Sequence, residues 1–321
     1  MLSLVVPLHN EEDSVLALAG QCCQALAALN MPWELILVDD GSTDATSARL
    51  HEACRRYPRH VRGLILRRNF GQTAAMQAGM DQACGSLIVT MDGDLQNDPA
   101  DIPRMVRRLL AEDLDLLVGW RHQRQDGLLL RKLPSWLANR LISAVTGIRL
   151  HDYGCSLKVL RAEVLQEVRL AGQMHRFIPT WIATVTSPAR IAEEPVNHFA
   201  HRHGRSKYGL QRVFRVLPDL AAMLFFLRYR DQPGHFFGRL GLASGSAGLA
   251  LLAWLALEKL LHGTAIGTRP LLLLGALLLA LGVQLLCTGL LAEMLTRTSL
   301  DARSRQGYSI RMRINPGPDR K

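Results

Sequence analysis

Residues 86–98 read SLIVTMDGDLQND, an apolar run that ends in three acidic residues. A short apolar run of this length is typical of a buried strand. Carboxylates crowded at its end raise one another's pKa unless positive charge lies between them. Asp98, followed by Pro99, has the residue types of a helix N-cap and first helical position. Capping leaves Asp92 and Asp94 unexplained, and a bound divalent cation or a solvated turn are the two interpretations of that pair.

Up to about residue 200, strand-like runs alternate with helical patterns. The predicted strands are LSLVVPL, WELILVDD, VRGLILRRN and SLIVTMD, and a helix follows each. The first helix, within residues 11–30, is expected to begin with an acidic turn. This alternation predicts an α/β fold, Rossmann-like, with a mostly parallel sheet and helices on both faces.

Polar clusters follow three of these strands: Pro7–Glu11, Asp39–Ser42 and Asp92–Asp94. Ligands of such sheets bind beyond the carboxyl ends of the strands, so the three clusters are expected to share one rim. Capping and loop chemistry is the alternative for each cluster taken alone. Asp39 or Asp40 is placed to accept hydrogen bonds from a base or ribose. Asp92 and Asp94 are the predicted ligands of Mg²⁺ or Mn²⁺, completed by water and substrate phosphates.

The last third of the chain contains two uncharged apolar runs, residues 240–257 and residues 271–292. About 20 residues cross a bilayer core, so both are predicted transmembrane helices. Two buried core helices are the alternative, and the absence of a polar face on the second run disfavours it. Basic residues flank the pair on both sides, which predicts that both termini are cytoplasmic.

Composition therefore divides the chain into four predicted segments. They are a catalytic domain at 1–204, amphipathic interfacial helices at 205–238, a transmembrane hairpin at 239–293 and a basic cytoplasmic tail at 294–321. We expect an inner-membrane protein with its catalytic domain in the cytoplasm. The first residues lack the basic region of a signal peptide.

The charge balance, 38 Lys+Arg against 28 Asp+Glu, indicates an anionic partner: nucleic acid, membrane phosphate or a phosphorylated substrate. Aromatic residues make up only 6% of the chain, so stacking platforms for nucleic acid are scarce and no nucleic-acid partner is predicted. Six scattered cysteines form no zinc spacing and indicate reduced thiols. Neither a GxGxxG nor a P-loop motif is present.

An ordered set of motifs resembles the polyprenyl-phosphate glycosyltransferases of glycosyltransferase family 2. The set is VVPLHNEE, ILVDDGSTD, NFGQTAAMQAG, MDGDLQNDP, HDYGCSLKVLR, MHRFIP and GRSKYG. The resemblance implies a GT-A fold, a nucleotide-diphosphate sugar donor, with a UDP-sugar favoured, and a divalent metal. It also implies a polyprenyl phosphate acceptor, with undecaprenyl phosphate favoured, and inversion at the anomeric carbon. Relatives suggest a homo-oligomer, a tetramer.

The resemblance also implies roles for residues of this sequence. The implied acceptor-phosphate residues are Arg121, Arg131 and Ser135, and a solvated surface charge is the alternative for each. For Asp152, implied as a polar wall beside the acceptor, a structural turn is the alternative. The implied catalytic residues are Asp94, Asp152 and Arg131. The implied nucleotide-sugar contacts are Pro7, Asn10, Glu11, Asp39, Asp40, Asp92, Gln96, Arg202 and Lys207.

One position departs from the family pattern. The family usually has Arg three residues before the glycine of the RSKY loop, where this chain has His201 followed by Arg202. Either residue is a candidate for that donor contact. A metal site formed by His198, His201 and His203 is the other interpretation of this histidine-rich stretch.

Three classes of function remain open on the sequence. The leading one is a membrane glycosyltransferase that makes a lipid-linked monosaccharide for envelope glycan or lipid A modification. A processive polysaccharide synthase of the same fold is the alternative, although the QxxRW motif of such synthases is absent. A non-catalytic membrane anchor or basic nucleic-acid binder is the third. Among sugars, the motifs lean toward the aminoarabinose-type relatives.

Overall fold

The computed structural model describes residues 1–121, 143, 147–168, 174–199, 225, 228–229, 232–263, 270–301 and 307–316. The chain forms two compact units. Residues 1–220 and 306–321 make up the first, and residues 221–305 make up the second.

The first unit is built on an eight-stranded sheet in the order β7-β5-β6-β4-β1-β2-β3-β8. The strands are β1 (Leu2–Leu8), β2 (Trp33–Asp39), β3 (Val61–Leu66), β4 (Leu87–Thr90), β5 (Leu116–Trp120), β6 (Lys158–Arg161), β7 (Ile191–Pro195) and β8 (Ile310–Ile314).

The parallel core of this sheet is the one that the sequence predicts. β1 pairs in parallel with β2 and with β4, and β2 pairs in parallel with β3. β1 is buried along its whole length, as expected of a central strand covered on both faces. The sheet is mixed, because β6 runs antiparallel to β4 and β5, and β8 runs antiparallel to β3.

Helices follow the core strands in the predicted alternation. They are α1 (Val15–Leu26), α2 (Thr46–Arg56), α3 (Gln72–Gln82) and α4 (Ile102–Ala111), with the shorter α5 (Ala162–Gln166) and α6 (Ile178–Ile182) after β6. Asp98 is an N-cap as predicted, since its side chain accepts a hydrogen bond from the Ala100 N–H and Pro99 begins a 3₁₀ turn. The predicted acidic first turn of α1 is wrong: α1 begins at Val15, after the acidic residues, and the Glu12 carboxylate instead accepts a hydrogen bond from the Ala45 N–H in the neighbouring loop.

The second unit consists mainly of two long helices, α7 (Pro233–His262) and α8 (Pro270–Asp301). Both contain segments apolar enough and long enough to cross a membrane, with mean hydropathy 1.8 for α7 and 2.4 for residues 270–295. Their large apolar side chains are exposed; Leu260, for example, is 82% exposed. Water would oppose so much apolar surface, whereas lipid favours it. Most of the predicted interfacial segment lies outside the described residues, and its last residues belong to α7.

The tail contains a strand that was not predicted. After α8 the chain returns to the first unit, where β8 pairs with β3. Tyr308 is buried, and its hydroxyl donates to Asp81 Oδ2 at 2.8 Å. The Asn315 side-chain amide donates to the Cys54 and Val61 carbonyls at 3.1 and 3.0 Å. The segment that follows the hairpin is therefore part of the sheet.

Candidate active site

The three polar clusters lie at one edge of the sheet, as predicted. Leu8, the last residue of β1, is in register with Asp39 at the end of β2. On its other side, β1 pairs in parallel with β4, whose last residue, Thr90, precedes the acidic motif by two positions. Because parallel strands bring their carboxyl ends to the same edge, the loops after β1, β2 and β4 adjoin one another.

Hydrogen bonds join the first two loops. Asn10 has a positive φ of 56°, and its side-chain oxygen accepts a 2.9 Å hydrogen bond from the Thr43 N–H. The Glu11 N–H donates to Thr46 Oγ1 at 2.8 Å. Pro7 is buried within β1. Asn10 and Glu11 therefore position the rim, and donor contacts by these residues and Pro7 stay predictions.

The two acids that end β2 are buried and hydrogen-bonded. Asp39 accepts a 2.9 Å hydrogen bond from the Ser42 N–H and another from the Ser47 hydroxyl. The two oxygens of Asp40 accept hydrogen bonds from the Phe70 and Gly71 N–H groups at 2.8 and 2.9 Å. Each carboxylate oxygen has a second lone pair that can accept a further hydrogen bond. Contacts of Asp39 or Asp40 with a base or ribose stay predictions.

The DGD motif is shaped by close packing against β1. A Cβ atom on residue 93 would lie 2.4 Å from Leu8 Cδ2 and 3.1 Å from the Pro7 carbonyl oxygen, so a larger residue between the two acids would displace Leu8. Leu95 has a positive φ of 60°, a conformation costly for a branched side chain. Asp94 Oδ1 accepts a 3.1 Å hydrogen bond from the Gln96 N–H, which turns the chain after the motif.

Asp92 lies in an environment that disfavours its charge. Burial, followed by the charge of Asp94, raises the pKa of Asp92 above its usual 3.8. A hydrogen bond from Ser156 and the positive charge of Lys158 act in the opposite direction without reversing the shift. The Gln72 side-chain amide donates to Asp92 Oδ1 at 2.7 Å. A cation bound by Asp92 and Asp94 would relieve the repulsion between them.

Lys158 is a buried cation beneath the motif that sequence reasoning missed. It is 1% exposed, is in register with Thr90 across the β4–β6 ladder, and donates to the Cys155 carbonyl. Burial lowers the pKa of its ammonium group. Lysine is almost never fully buried without a partner, so a lysine within the apolar run SLKVL was the signal available in the sequence. Gln72 lies in the motif NFGQTAAMQAG, but no role was predicted for it.

Arg121 and Asp152 come together beside this motif. The guanidinium group binds both carboxylate oxygens of Asp152, at 2.6 and 2.9 Å. Asp152 Oδ1 also accepts a 3.1 Å hydrogen bond from the Gly154 N–H. Both were predicted near the acceptor, and their pairing was not anticipated.

Several predicted site residues lie outside the described residues: Arg131, Ser135, His201, Arg202, His203 and Lys207. Of the histidine-rich stretch, the structure describes His198, whose backbone forms a β-bridge with Asn97. Within the described part of the chain, no group of three or more His, Cys, Asp or Glu side chains is arranged to hold a metal ion.

A mixed α/β sheet with paired carboxylates at the carboxyl edge of its parallel strands is the arrangement of a GT-A glycosyltransferase. Residues 3–169 match the model of Glycosyl transferase family 2, and the chain belongs to this family.

Curated relatives match almost the whole chain. A dodecaprenyl-phosphate galacturonate synthase of Rhizobium johnstonii is 54% identical over 310 residues, which cover 97% of this chain and 92% of that protein. An undecaprenyl-phosphate 4-deoxy-4-formamido-L-arabinose transferase of Salmonella choleraesuis is 33% identical and covers 98% of this chain and 94% of that protein. With 97% and 98% of this chain aligned, the matches extend into the region of the two long apolar helices.

Solved structures show the same fold. Glucosyl-3-phosphoglycerate synthase from Mycobacterium tuberculosis, in complex with Mn²⁺ and UDP-glucose, aligns with a TM-score of 0.54 at 20% identity. The alignment covers 71% of this chain and 78% of that chain. At this identity the likeness establishes the fold alone, and it confirms the predicted GT-A architecture.

Proposed function

We propose that this chain transfers one sugar from a nucleotide-diphosphate sugar to the phosphate of a polyprenyl phosphate. The observation that carries the proposal is the full-length similarity to a dodecaprenyl-phosphate galacturonate synthase, at 54% identity. In a family 2 chain, the rim that carries Asp92 and Asp94 is the proposed binding site for the nucleotide sugar. The two exposed apolar helices supply a means of reaching a lipid acceptor.

The metal proposal rests on the chemistry of the rim. Mg²⁺ typically binds through one or two carboxylates and completes its coordination with water and substrate phosphates. Asp92 and Asp94 form such a pair, and burial together with the charge of Asp94 raises the pKa of Asp92. A divalent cation bound there would neutralise charge on the departing nucleotide. Mg²⁺ and Mn²⁺ both fit this donor set.

The reaction is a single displacement. An acceptor phosphate oxygen forms a bond to the anomeric carbon while the bond from that carbon to the diphosphate oxygen breaks, with inversion. The electron pair leaves with the nucleoside diphosphate. Because the acceptor phosphate is already anionic near neutral pH, positioning and charge stabilisation carry the catalysis, and a strong base is not required.

Cations are needed where the two phosphate groups approach one another. We assign the acceptor phosphate to Arg121, Arg131 and Ser135, and the donor diphosphate to Lys207 and to Arg202 or His201. Arg121 is held by Asp152, which fixes the plane of its guanidinium group and leaves three of its five N–H donors for phosphate oxygens. Asp152 thereby forms a polar wall beside the acceptor.

For the donor we propose a UDP-sugar, with UDP-galacturonic acid as the first candidate. The identity of 54% to the galacturonate synthase exceeds the 33% to the formamidoarabinose transferase, although the sequence motifs leaned toward the latter. A homo-oligomer is proposed on family resemblance.

We also propose that α7 and α8 cross the membrane and that both termini are cytoplasmic. The sheet contains β1–β7 from before the hairpin and β8 from after it, so both ends of the hairpin connect to one domain. Such a connection requires an even number of crossings. A fluorescent protein fused after Lys321 should fluoresce, and alkaline phosphatase fused there should be inactive. The reverse pattern would place the tail outside.

The activity is tested with purified protein in detergent, synthetic polyprenyl phosphates and a panel of radiolabelled UDP-sugars. A single lipid-linked monosaccharide supports the proposal. A polymer would instead identify a processive synthase, and no product from any donor would support a non-catalytic anchor.

A further inference from the structure

Asp92 is held by a side chain to which the family resemblance gave no function. Gln72, the first residue of α3, lies twenty positions before Asp92 and reaches it across the rim. Its Nε2 donates to Asp92 Oδ1 at 2.7 Å. Gln72 is exposed, so the hydrogen bond does not serve to satisfy a buried amide.

The turn that carries Gln72 is fixed by Asp40. The two oxygens of Asp40 bind the N–H groups of Phe70 and Gly71, the residues immediately before Gln72. Gly71 has a φ of 96°, which glycine adopts without strain. Asp40 is 3% exposed and is therefore a rigid anchor at the end of β2.

The residue after Gln72 is fixed as well. Thr73 is buried, and its hydroxyl lies 2.6 Å from His175 Nδ1, which belongs to the 3₁₀ turn Met174–Phe177. Gln72 is thus held between two anchored neighbours. Its side chain starts from a defined backbone position and points across to the β4 loop.

We propose that Gln72 is a positioning residue for Asp92 and that Asp40 acts through it by clamping the start of α3. The inference rests on the proposed metal site. A carboxylate rotates readily about its last bond, and the hydrogen bond from Gln72 to Oδ1 restricts that rotation. Residues that hydrogen-bond to a metal-binding carboxylate orient it, and their loss typically costs about 10–100-fold in metal affinity or activity.

The test compares Gln72→Met with Gln77→Met. Methionine keeps the length of the side chain and removes the hydrogen bond. Gln77 lies on the same helix and donates to Asp81 Oδ1 at the same distance of 2.7 Å, away from the rim, so it is a matched control. Mn²⁺ binding is measured by electron paramagnetic resonance in the presence of UDP, together with the melting temperature.

Gln72→Met is expected to weaken Mn²⁺ binding about tenfold or more, with an unchanged melting temperature and activity that recovers at high Mn²⁺. Gln77→Met should bind Mn²⁺ as the wild type does. Equal Mn²⁺ affinity in Gln72→Met and wild type would overturn the inference while leaving the metal site intact. A wild-type protein that binds no Mn²⁺ with UDP would overturn the metal site itself, and the inference with it.

Discussion

Arg121 and Asp152 form a two-point ion pair at the rim, with Nε 2.6 Å from Oδ2 and Nη2 2.9 Å from Oδ1. Their side chains are 15% and 10% exposed, so water screens the pair only weakly. The pair joins the end of β5 to the loop before β6, which places a fixed guanidinium group beside the DGD motif.

This pair should couple strongly in a double-mutant cycle of Arg121→Gln and Asp152→Asn. Residues in one ion pair typically show interaction energies of about 0.5–3 kcal/mol, and the low exposure here favours the upper part of that range. Thermal unfolding of the purified protein in detergent, followed through the first unit, measures the cycle. Additive effects would show that the two groups are independent.

The same two variants should also show whether Arg121 serves the acceptor. The KM for the acceptor should rise in both variants, while the affinity for the nucleotide stays constant.

Asp92 should reduce stability while it supports transfer. Its pKa is raised in the folded state, so folding favours the protonated form of this carboxyl group. The protein is therefore most stable with respect to this group below its usual pKa of 3.8, and that stability is lost as pH rises through the folded-state pKa. Asp92→Asn removes that charge. We expect a higher melting temperature than wild type at neutral pH without metal, and transfer reduced by about a hundredfold or more, because a bound metal supplies several kcal/mol.

The acid-side behaviour provides the control for that prediction. At a pH below 3.8 the Asp92→Asn and wild-type proteins should melt at similar temperatures, since both side chains are then neutral. Asp94→Asn should also abolish transfer. An Asp92→Asn variant that is less stable than wild type at neutral pH would contradict the account of its environment.

The helical hairpin depends on close approach of two glycines. A Cβ atom on Gly282 would lie 2.6 Å from the Cα of Gly245, so the helix backbones meet at this point. Gly282→Leu should destabilise the hairpin by about 1–3 kcal/mol, the usual cost of overpacking. Gly238→Leu is the control, because nothing lies within 4 Å of an added Cβ there. Thermal unfolding in detergent measures both, and equal effects would argue against this helix contact.

The tail strand should stabilise the catalytic domain. Tyr308→Phe removes the hydrogen bond to Asp81 and should cost about 0.5–1.5 kcal/mol, and Tyr308→Ala should cost about 3–5 kcal/mol, as for other buried aromatic residues. Met312→Ala, on the exposed part of β8, should change stability by less than about 0.5 kcal/mol. Chemical denaturation measures the free energy of unfolding of each variant. A Tyr308→Ala variant as stable as the wild type would show that β8 does not stabilise the domain.

The parallel core and the acidic rim were predictable because their signals are local. Strand, helix and DGD motif each lie within a few consecutive residues, and parallel pairing places their ends together. The antiparallel strand β8 was not predictable, because it pairs with β3 across more than two hundred residues and its run IRMRI contains two arginines. The contacts of Gln72 and Lys158 near Asp92 were not predicted, because each depends on how separate segments pack around the end of β4.

The measurement that tests the central claim most directly is the nucleotide released per lipid product formed. Purified protein, UDP-galacturonic acid and dodecaprenyl phosphate are incubated with Mn²⁺, and the lipid and nucleotide products are quantified by mass spectrometry. Attack by the acceptor phosphate on the anomeric carbon predicts one UDP for each lipid that carries one sugar and one phosphate. Release of UMP with a lipid diphosphate, or a lipid that carries many sugars, would contradict it.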